Sequence, residues 1–291
     1  FCMCSTVRKR LCQVIRSKSK CIYENLAYEE HLLRTHDPEE DGDVLLLWSN
    51  QPSVVVGRHQ NPWVEVNLEE AERRGVRVVR RHSGGGTVYH DEGNLNLSIL
   101  TTQKDHCRRR NLEWISKVIN RRYSVNVVPT HRDDLEMQPG QRKCSGTAAR
   151  ISRGRAYHHM TMLVQVDLSL LSTLLRSPIE SRLESTATRS VRAPAVGYLR
   201  QDDERVTVDG LAETIVAGFE ELFEDSITRT EDVTRDTVTI PTVTKALEEL
   251  TSWEWIYGKT PPFKVKETNV EVKAGKFIQS GKPFHACDID R

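Results

Sequence analysis

After the turn-forming Asp91-Glu92-Gly93, the chain sets Leu95, Leu97 and Ile99 in strict alternation with polar residues. A period of two fixes a strand, because successive side chains on an extended backbone leave opposite faces. Thr87 to Tyr89 run into the same turn, so the sequence predicts a hairpin there. Two further apolar runs, Asp43 to Trp48 and Ser53 to Val56, flank Ser-Asn-Gln-Pro and are expected to form a second, hairpin-like pair. Strands are also predicted over Val76 to Arg80, Ser124 to Val128 and Tyr157 to Val166.

Between these strands the spacing turns helical. Leu26, Ala27 and Leu33 share one side of a helix over Tyr23 to Arg34, and Leu112, Ile115 and Ile119 mark another. Asn67 with Glu70 three residues on reads as a capping box, and Gly75 as the stop. Asp167 caps a helix carrying Leu168, Leu171, Leu174 and Leu175, while Leu211, Ile215 and Phe219 define one more. Residues 180–208 and 225–242, rich in Ser, Thr, Arg and Asp, read as irregular connections. Strand pairs mixed with helices predict an α+β or mixed-sheet α/β chain, not a parallel doubly wound sheet.

Charge narrows the functional class. Lys and Arg total 42 against 41 Asp and Glu, a net charge of +1 that excludes a dedicated nucleic-acid binder. Hydrophobic residues make up 37% and charged residues 29%, enough for a core under a well-solvated surface. The longest apolar stretches, such as Val44 to Trp48, fall far short of the ~18 residues of a membrane span, so no membrane partner is expected. The seven cysteines form no paired CxxC units for zinc and are expected to be reduced. Residues 1–22 stand apart, with Arg8, Lys9, Arg10, Arg16, Lys18 and Lys20 and no acid before Glu24. That is the composition of a mitochondrial transit peptide, which would place the protein in the matrix, or of a disordered basic tail.

The chemistry concentrates in two stretches. In Arg80-Arg81-His82-Ser83-Gly84-Gly85-Gly86-Thr87-Val88-Tyr89-His90-Asp91, three glycines let the backbone approach a ligand and turn N–H groups toward an anion. Two arginines entering that loop could neutralise a phosphate by forked hydrogen bonds. The spacing matches neither the P-loop nor the dinucleotide fingerprint, and the triplet alone could equally be a mobile turn. The second stretch pairs Asp133-Asp134-Leu135 with Arg142-Lys143-Cys144-Ser145-Gly146-Thr147-Ala148. Lys143 could stabilise charge that develops in acyl or phosphoryl transfer, or be an exposed strand lysine; Asp134 could orient an amine or cap a turn. Cys144 could be a nucleophile with His158 or His159 as base, or a packed thiol.

Five spaced motifs carry a resemblance. Arg58-His59-Gln60-Asn61-Pro62-Trp63, the Arg80–Asp91 run, Lys143 to Ala148, Ala156-Tyr157-His158-His159 and Trp253-Glu254-Trp255-Ile256-Tyr257-Gly258 occur in this order. Together, over residues 23–263, they resemble the lipoate–protein ligase family, and its mitochondrial lipoyltransferases in particular. The resemblance implies a mixed, largely antiparallel sheet flanked by helices, similar to biotin ligases and class II aminoacyl-tRNA synthetases. It implies transfer of a lipoyl group, from lipoyl-AMP or a lipoylated donor protein, to one lysine of a lipoyl domain. Implied acceptors are the apo lipoyl domains of 2-oxoacid dehydrogenase acyltransferase subunits and the glycine-cleavage H protein. Magnesium would come with the nucleotide where lipoate is activated, and no protein metal site is implied.

The implied catalytic pair is Lys143, which touches the lipoyl carbonyl and phosphate, and Asp134, a partner for the incoming amine. The implied lipoyl-AMP contacts are Arg80, Arg81, Ser83, Gly84, Gly85, Gly86, Thr87, Val88, Tyr89, His90 and Lys143. Val55, Val56, the Gly84–Gly86 backbone and Tyr89 are candidates for the apolar tail slot, with ordinary core as the other reading of the two valines. Trp253 and Trp255 are expected to pin the end of the domain, and His159 to be a satisfied strand histidine. Residues 264–291 are expected to begin a shortened accessory domain whose relatives close a lid during adenylation, so transfer should outpace activation. Two alternatives stand beside this reading: an octanoyltransferase working through a Cys144 thioester, and a catalytically silent lipoyl- or nucleotide-binding protein.

Overall fold

The alternating run lies inside the main sheet, with both of its faces covered. The computed structural model describes residues 12–223, 228–233 and 239–287. The chain opens with β1 (Cys12–Ser17), α1 (Ile22–Thr35), β2 (Asp43–Trp48) and β3 (Ser53–Val56). Two short helices follow, α2 (Pro62–Glu65) and α3 (Leu68–Arg73), then β4 (Arg77–Arg80), β5 (Val88–His90) and β6 (Asn94–Thr102). Helix α4 (Arg108–Arg122) leads to β7 (Val127–Pro129), β8 (Leu135–Met137), β9 (Arg142–Ser145), β10 (Thr147–Ser152) and β11 (Arg155–Leu163). The remainder comprises α5 (Leu168–Leu174), β12 (Leu183–Ser185), α6 (Val208–Glu221), β13 (Thr228–Val233), α7 (Pro241–Thr251) and α8 (Trp253–Ile256). Three short strands close it, β14 (Phe263–Val265), β15 (Glu271–Lys273) and β16 (Lys276–Phe277).

The main sheet has six strands in the order β10-β11-β6-β2-β1-β13. β10, β11, β6 and β2 pair antiparallel, whereas β1 runs parallel to β2 and β13, so the sheet is mixed as expected. Leu45, Leu47, Leu95, Leu97 and Ile99 pack with Leu112, Ile115 and Ile119 of α4 and Leu211, Ile215 and Phe219 of α6. Val44, Leu46 and Trp48 leave the opposite face toward Leu26 and Leu33 of α1, Val243 and Leu250 of α7, and Val55 and Val79 of a second sheet. That sheet, β4-β3-β5, carries the glycine-rich loop.

Neither expected hairpin forms. β2 pairs with β1 and β6, while β3 pairs with β4 and β5. All residues of β2 and β3 are buried, so each strand needs neighbours that one shared ladder could not supply. β5 and β6 also belong to different sheets, because Gly93 lies against the backbone of Gln165 and accepts from the N–H groups of Val164 and Gln165. The turn thus hands the chain from one sheet to the other. The capping box is half-formed: Asn67 Oδ1 accepts from Glu70 N at 3.2 Å, but Glu70 turns its carboxylate to Arg73 and Arg74.

Four boundaries also differ from those expected. Of the expected transit-peptide segment 1–22, residues 1–11 lie outside the described residues, but Cys12–Ser17 is a strand whose Cys12, Val14 and Ile15 are buried. The folded domain therefore starts no later than Cys12. At the other end, β14 pairs with β12, and Val272 and Phe284 pack with Trp63, so residues 264–287 extend the same domain. Within 225–242, residues 228–233 form edge strand β13, and residues 225–227 and 234–238 lie outside the described residues. The predicted strand Ser124 to Val128 begins only at Val127, because Ser124 N is spent on Asp203 Oδ2 at 2.8 Å.

Candidate active site

The arginine pair builds the glycine loop from beneath. Arg80 is fully buried, and its Nε donates to the carbonyls of Trp255 and Ile256 at 3.0 and 2.9 Å. Its Nη1 donates to the carbonyls of Gly57, Arg58 and Gln60, and its Nη2 to Thr260 Oγ1. Arg80 lines neither of the two cavities at this site, and its hydrogen-bonding capacity is spent on the protein. Arg81 donates through Nε to Ser83 Oγ, through Nη1 to Val55 O, and through Nη2 to the carbonyls of Gly84 and Gly86. Burial lowers both guanidinium pKa values to about 10, so both stay charged at neutral pH. Arg81 forms part of the cavity wall, but its donors organise the loop.

Ser83 is buried behind the cavity, with Oγ 2.8 Å from His159 Nε2, and His159 Nδ1 lies 3.0 Å from Glu29 Oε1. His159 is therefore satisfied, as expected. Gly84 also stays off the cavity wall, whereas Gly85, Gly86, Thr87, Val88 and His90 line it. Gly85 adopts φ +85°, a conformation that favours glycine. Gly57 was not legible as a site residue: a Cβ there would stand 2.0 Å from the Gly85 carbonyl oxygen.

Two cavities meet at Lys143. The first, about 280 Å³, has Leu26, Trp48, Val55 and Met160 in one part of its wall and Arg132, Asp134, Lys143 and Thr147 in another. Polar Asn96, on the buried second face of the alternating strand, also lines it. The second, about 370 Å³, lies against Tyr89, Leu163, α5 and residues 190–194. Thr87, Val88, Lys143, Gly146 and Ser190 belong to both walls. Tyr89 thus faces the second cavity only, and Val56 is core.

Lys143 Nζ donates to Asp134 Oδ2 at 2.6 Å, the lysine side chain being 26% exposed. A β-bulge between Leu135 and Glu136 sets the register of β8 against β9 there. Lys143 N donates to Ala195 O, and Gly197 N donates to Lys143 O, both at 3.0 Å, which fastens residues 195–197 to the edge of β9. Strand alternation sends the next residue, Cys144, the opposite way, into the main core. Burial pushes its thiol pKa up to about 12, its Sγ lies 3.5 Å from Leu135 O, and it lines neither cavity. This removes the nucleophile that the thioester alternative requires.

The polar stretch read as an irregular connection supplies a missed wall. Ser190 Oγ accepts from Thr87 N and Gln60 Nε2 at 2.9 and 3.0 Å, while Arg189 Nε donates to buried Glu65. Only a serine and an arginine in a Ser/Thr/Arg-rich segment signal this from sequence. The basic run Arg108 to Arg110 begins α4 as expected, but Arg108 Nη2 also donates to Thr147 Oγ1 at 3.0 Å, on the cavity wall.

A cavity with an apolar arm, a backbone-lined glycine loop and a lysine held at its polar end suits an enzyme that transfers an acyl group. Residues 21–220 match the lipoyl protein ligase A/B catalytic domain family. Over 287 residues the chain is 38% identical to the human mitochondrial lipoyl amidotransferase LIPT1, covering 95% of this chain and 75% of that protein. The mouse counterpart is 40% identical over 286 residues, with the same coverage. Among solved structures, Plasmodium falciparum LipL1 in complex with lipoate superposes with a TM-score of 0.75 at 24% identity, covering 91% of this chain and 82% of that one. A bipartite lipoate–protein ligase from Thermoplasma acidophilum gives 0.70 at 23% identity, with 86% and 96% covered. The chain belongs to the lipoyl protein ligase A/B catalytic family.

Proposed function

We propose that this protein is a mitochondrial lipoyltransferase. It forms an amide between a lipoyl group and a specific lysine of a lipoyl domain, with lipoyl-AMP or a lipoylated protein as donor. The observation that carries this reading is the Lys143–Asp134 pair, 2.6 Å apart, where the two cavities meet. The relatives named as mitochondrial lipoyl amidotransferases support the compartment and the reaction. The bipartite ligase of Thermoplasma acidophilum belongs to a lipoylation system that includes its E2 lipoyl domain, which supports an acceptor of that kind. We extend this to acyltransferase subunits of 2-oxoacid dehydrogenases and to the glycine-cleavage H protein as acceptors.

With lipoyl-AMP the acceptor amine attacks the acyl carbonyl. A C–N bond forms, the acyl C–O bond to phosphate breaks, and AMP leaves with the electron pair. The amine surrenders a proton to solvent. Lys143 Nζ stands to stabilise the tetrahedral oxyanion and the departing phosphate, and Asp134 holds that ammonium in place. The backbone at Gly85 and Gly86, with Thr87 and Val88, forms the cradle. Arg81 and Ser83 act behind it, shaping the loop. Among the described residues no cluster of three or more His, Cys, Asp or Glu could hold a metal ion.

The test is transfer from synthetic lipoyl-AMP, and separately from a lipoylated H protein, to an apo lipoyl domain, read by intact mass. Amide formation from at least one donor is expected, and none from either would overturn the reading.

A further inference from the structure

Helix α4 opens on three arginines, Arg108, Arg109 and Arg110, with no acid in its first turn and no side-chain cap from Cys107. The N-terminal end of a helix carries the positive pole of its dipole, so cations stand there against the field. A local rule broken in this way marks residues kept for another purpose. Arg110 Nη2 turns back to the Asp105 carbonyl at 2.6 Å. Arg109 Nη1 donates to the Thr130 carbonyl at 3.0 Å, and Arg108 Nη2 to Thr147 Oγ1, also at 3.0 Å. Arg108 and Arg109 therefore reach out of α4 toward the turn that carries Asp134.

Thr147 links Arg108 to that turn. Its hydroxyl donates to the Asp133 carbonyl at 2.6 Å. A guanidinium only donates and a carbonyl only accepts, so both roles of this hydroxyl are assigned. Arg108 Nη1 also stands 3.6 Å from Asp133 Oδ2. Asp133 adopts φ +58°, a left-handed conformation that an aspartate keeps only where its surroundings hold it. On the other side, Thr130 Oγ1 accepts from the N–H groups of Arg132 and Asp134 at 3.2 and 3.3 Å, and Thr130 N donates to Asp134 O at 2.9 Å. The turn is thus tied down one residue before the carboxylate that holds Lys143 Nζ at 2.6 Å. Thr147, Asp134 and Lys143 line the first cavity, whereas Arg108 and Asp133 line neither.

We propose that Arg108, Thr147 and Asp133 form a brace that aims the Asp134 carboxylate, and through it the Lys143 ammonium, at the reacting acyl group. All three are positioning residues. The proposal rests on the lipoyl-transfer reading of this site and adds the residues that fix its geometry. An ammonium stabilises a developing oxyanion only from the right place, and a small misplacement is costly in rate. Lys143 enters the cavity on a flexible four-carbon stem, so its direction comes from its partner. That partner sits on a turn, which holds direction only when a supporting shell fixes it.

The experiment measures transfer from lipoyl-AMP to one apo lipoyl domain by the full chain, with the folding of each variant checked by urea denaturation. Arg108→Met keeps an apolar stem and should lower kcat about tenfold, with KM for lipoyl-AMP within about twofold of the wild type. In a Lys143→Ala background the same substitution should change kcat by less than about twofold, because the group it aims is gone. Thr147→Val should slow transfer as Arg108→Met does, and Thr147→Ser, which keeps the hydroxyl, should restore it. An Arg108→Met loss that persists in full in the Lys143→Ala background overturns the proposal, since a general role in folding multiplies. Where Arg108→Met does not fold, the Thr147 pair decides, and equal rates for folded Thr147→Val and Thr147→Ser overturn it. A wild type that transfers from neither lipoyl-AMP nor a lipoylated protein would overturn the lipoyl-transfer reading itself. Hydrogen exchange then still reads the brace: Thr130 N–H should exchange at least about tenfold faster in Thr147→Val than in Thr147→Ser, and equal exchange overturns it.

Discussion

Arg80 and Trp255 hold one another reciprocally: Trp255 Nε1 donates to the Arg80 carbonyl at 2.7 Å, and Arg80 Nε donates to the Trp255 carbonyl at 3.0 Å. The exchange clamps β4, which delivers the glycine loop, to α8 near the far end of the chain. It also explains why two sequence motifs so distant occur together. One is the floor of the site and the other is its fastening.

Arg80→Gln should therefore act on stability. The substitution strips donors from the carbonyls of Gly57, Arg58 and Gln60 and from Trp255 and Ile256, all buried around one charge. Leaving such groups unpaired should cost about 3 kcal/mol or more. Urea denaturation measures this directly, and a midpoint equal to the wild type would show that the carbonyls find other donors.

Lys143→Ala should behave in the opposite way. A lysine 26% exposed contributes little to folding, but loss of an oxyanion partner should slow transfer by about 10²–10³-fold. Lys143→Arg should also be slow, since a planar fork does not reproduce a compact ammonium against Asp134. Asp134→Asn should lose less, because it removes only the anchor of Nζ. Near-normal turnover of Lys143→Ala with lipoyl-AMP is the result that this assignment does not survive.

The elements were legible where side chains repeat a pattern, and the pairing was not. Leu112, Ile115 and Ile119, or Leu211, Ile215 and Phe219, announce helices because one face must be buried. The turn at Gly93 looks like a hairpin in any window of ten residues, and only its contact with Gln165 reveals the crossing between sheets. Within the site, Lys143 and Asp134 were readable by motif and lie together. For the arginine pair, residue type gives charge but not direction: the Arg80 side chain runs into the protein, and Arg81 reaches the wall. Gly57 and Ser190 carried no local signal, since each matters through one long-range contact.

Cys144→Ala should leave transfer largely intact. The thiol is buried, its pKa is raised to about 12 by desolvation, and neither cavity reaches it. Mass spectrometry of a quenched reaction should find no acyl group on this residue, and iodoacetamide should not modify it in the folded protein. A trapped thioester at Cys144 would revive the octanoyltransferase reading.

Gly57→Ala should impair the site without touching any catalytic side chain. Its Cβ would collide with the Gly85 carbonyl at 2.0 Å, and backbone must move to relieve that contact. The displaced segment is the cradle, so kcat/KM should drop by at least about tenfold, with a stability loss of about 1–3 kcal/mol from overpacking. A stable variant with unchanged kinetics would mean that Gly85 does not border the substrate.

Mild acid should destabilise the fold through its buried histidines. Burial lowers the His90 pKa to about 3 and also drives His158, fully buried on β11, well below its ordinary value of 6.5. For such a group the unfolded chain takes up a proton below pH 6.5 that the folded chain refuses. Stability therefore rises with pH across the window from about 3 to 6.5, and each such histidine should cost about 1.4 kcal/mol per pH unit as pH falls through it. Glu70, held to about 2 by hydrogen bonds from Arg73 and Arg74, also loses its contribution toward acid, but only below its ordinary value of 4.5. The interval from pH 4.5 to 6.5 thus separates the histidines from that carboxylate. Urea midpoints taken at half-unit steps across it should fall steadily for the wild type. His158→Phe, which has no proton to bind, should show a shallower fall, and identical slopes for the two proteins would mean that His158 is already protonated in the folded state.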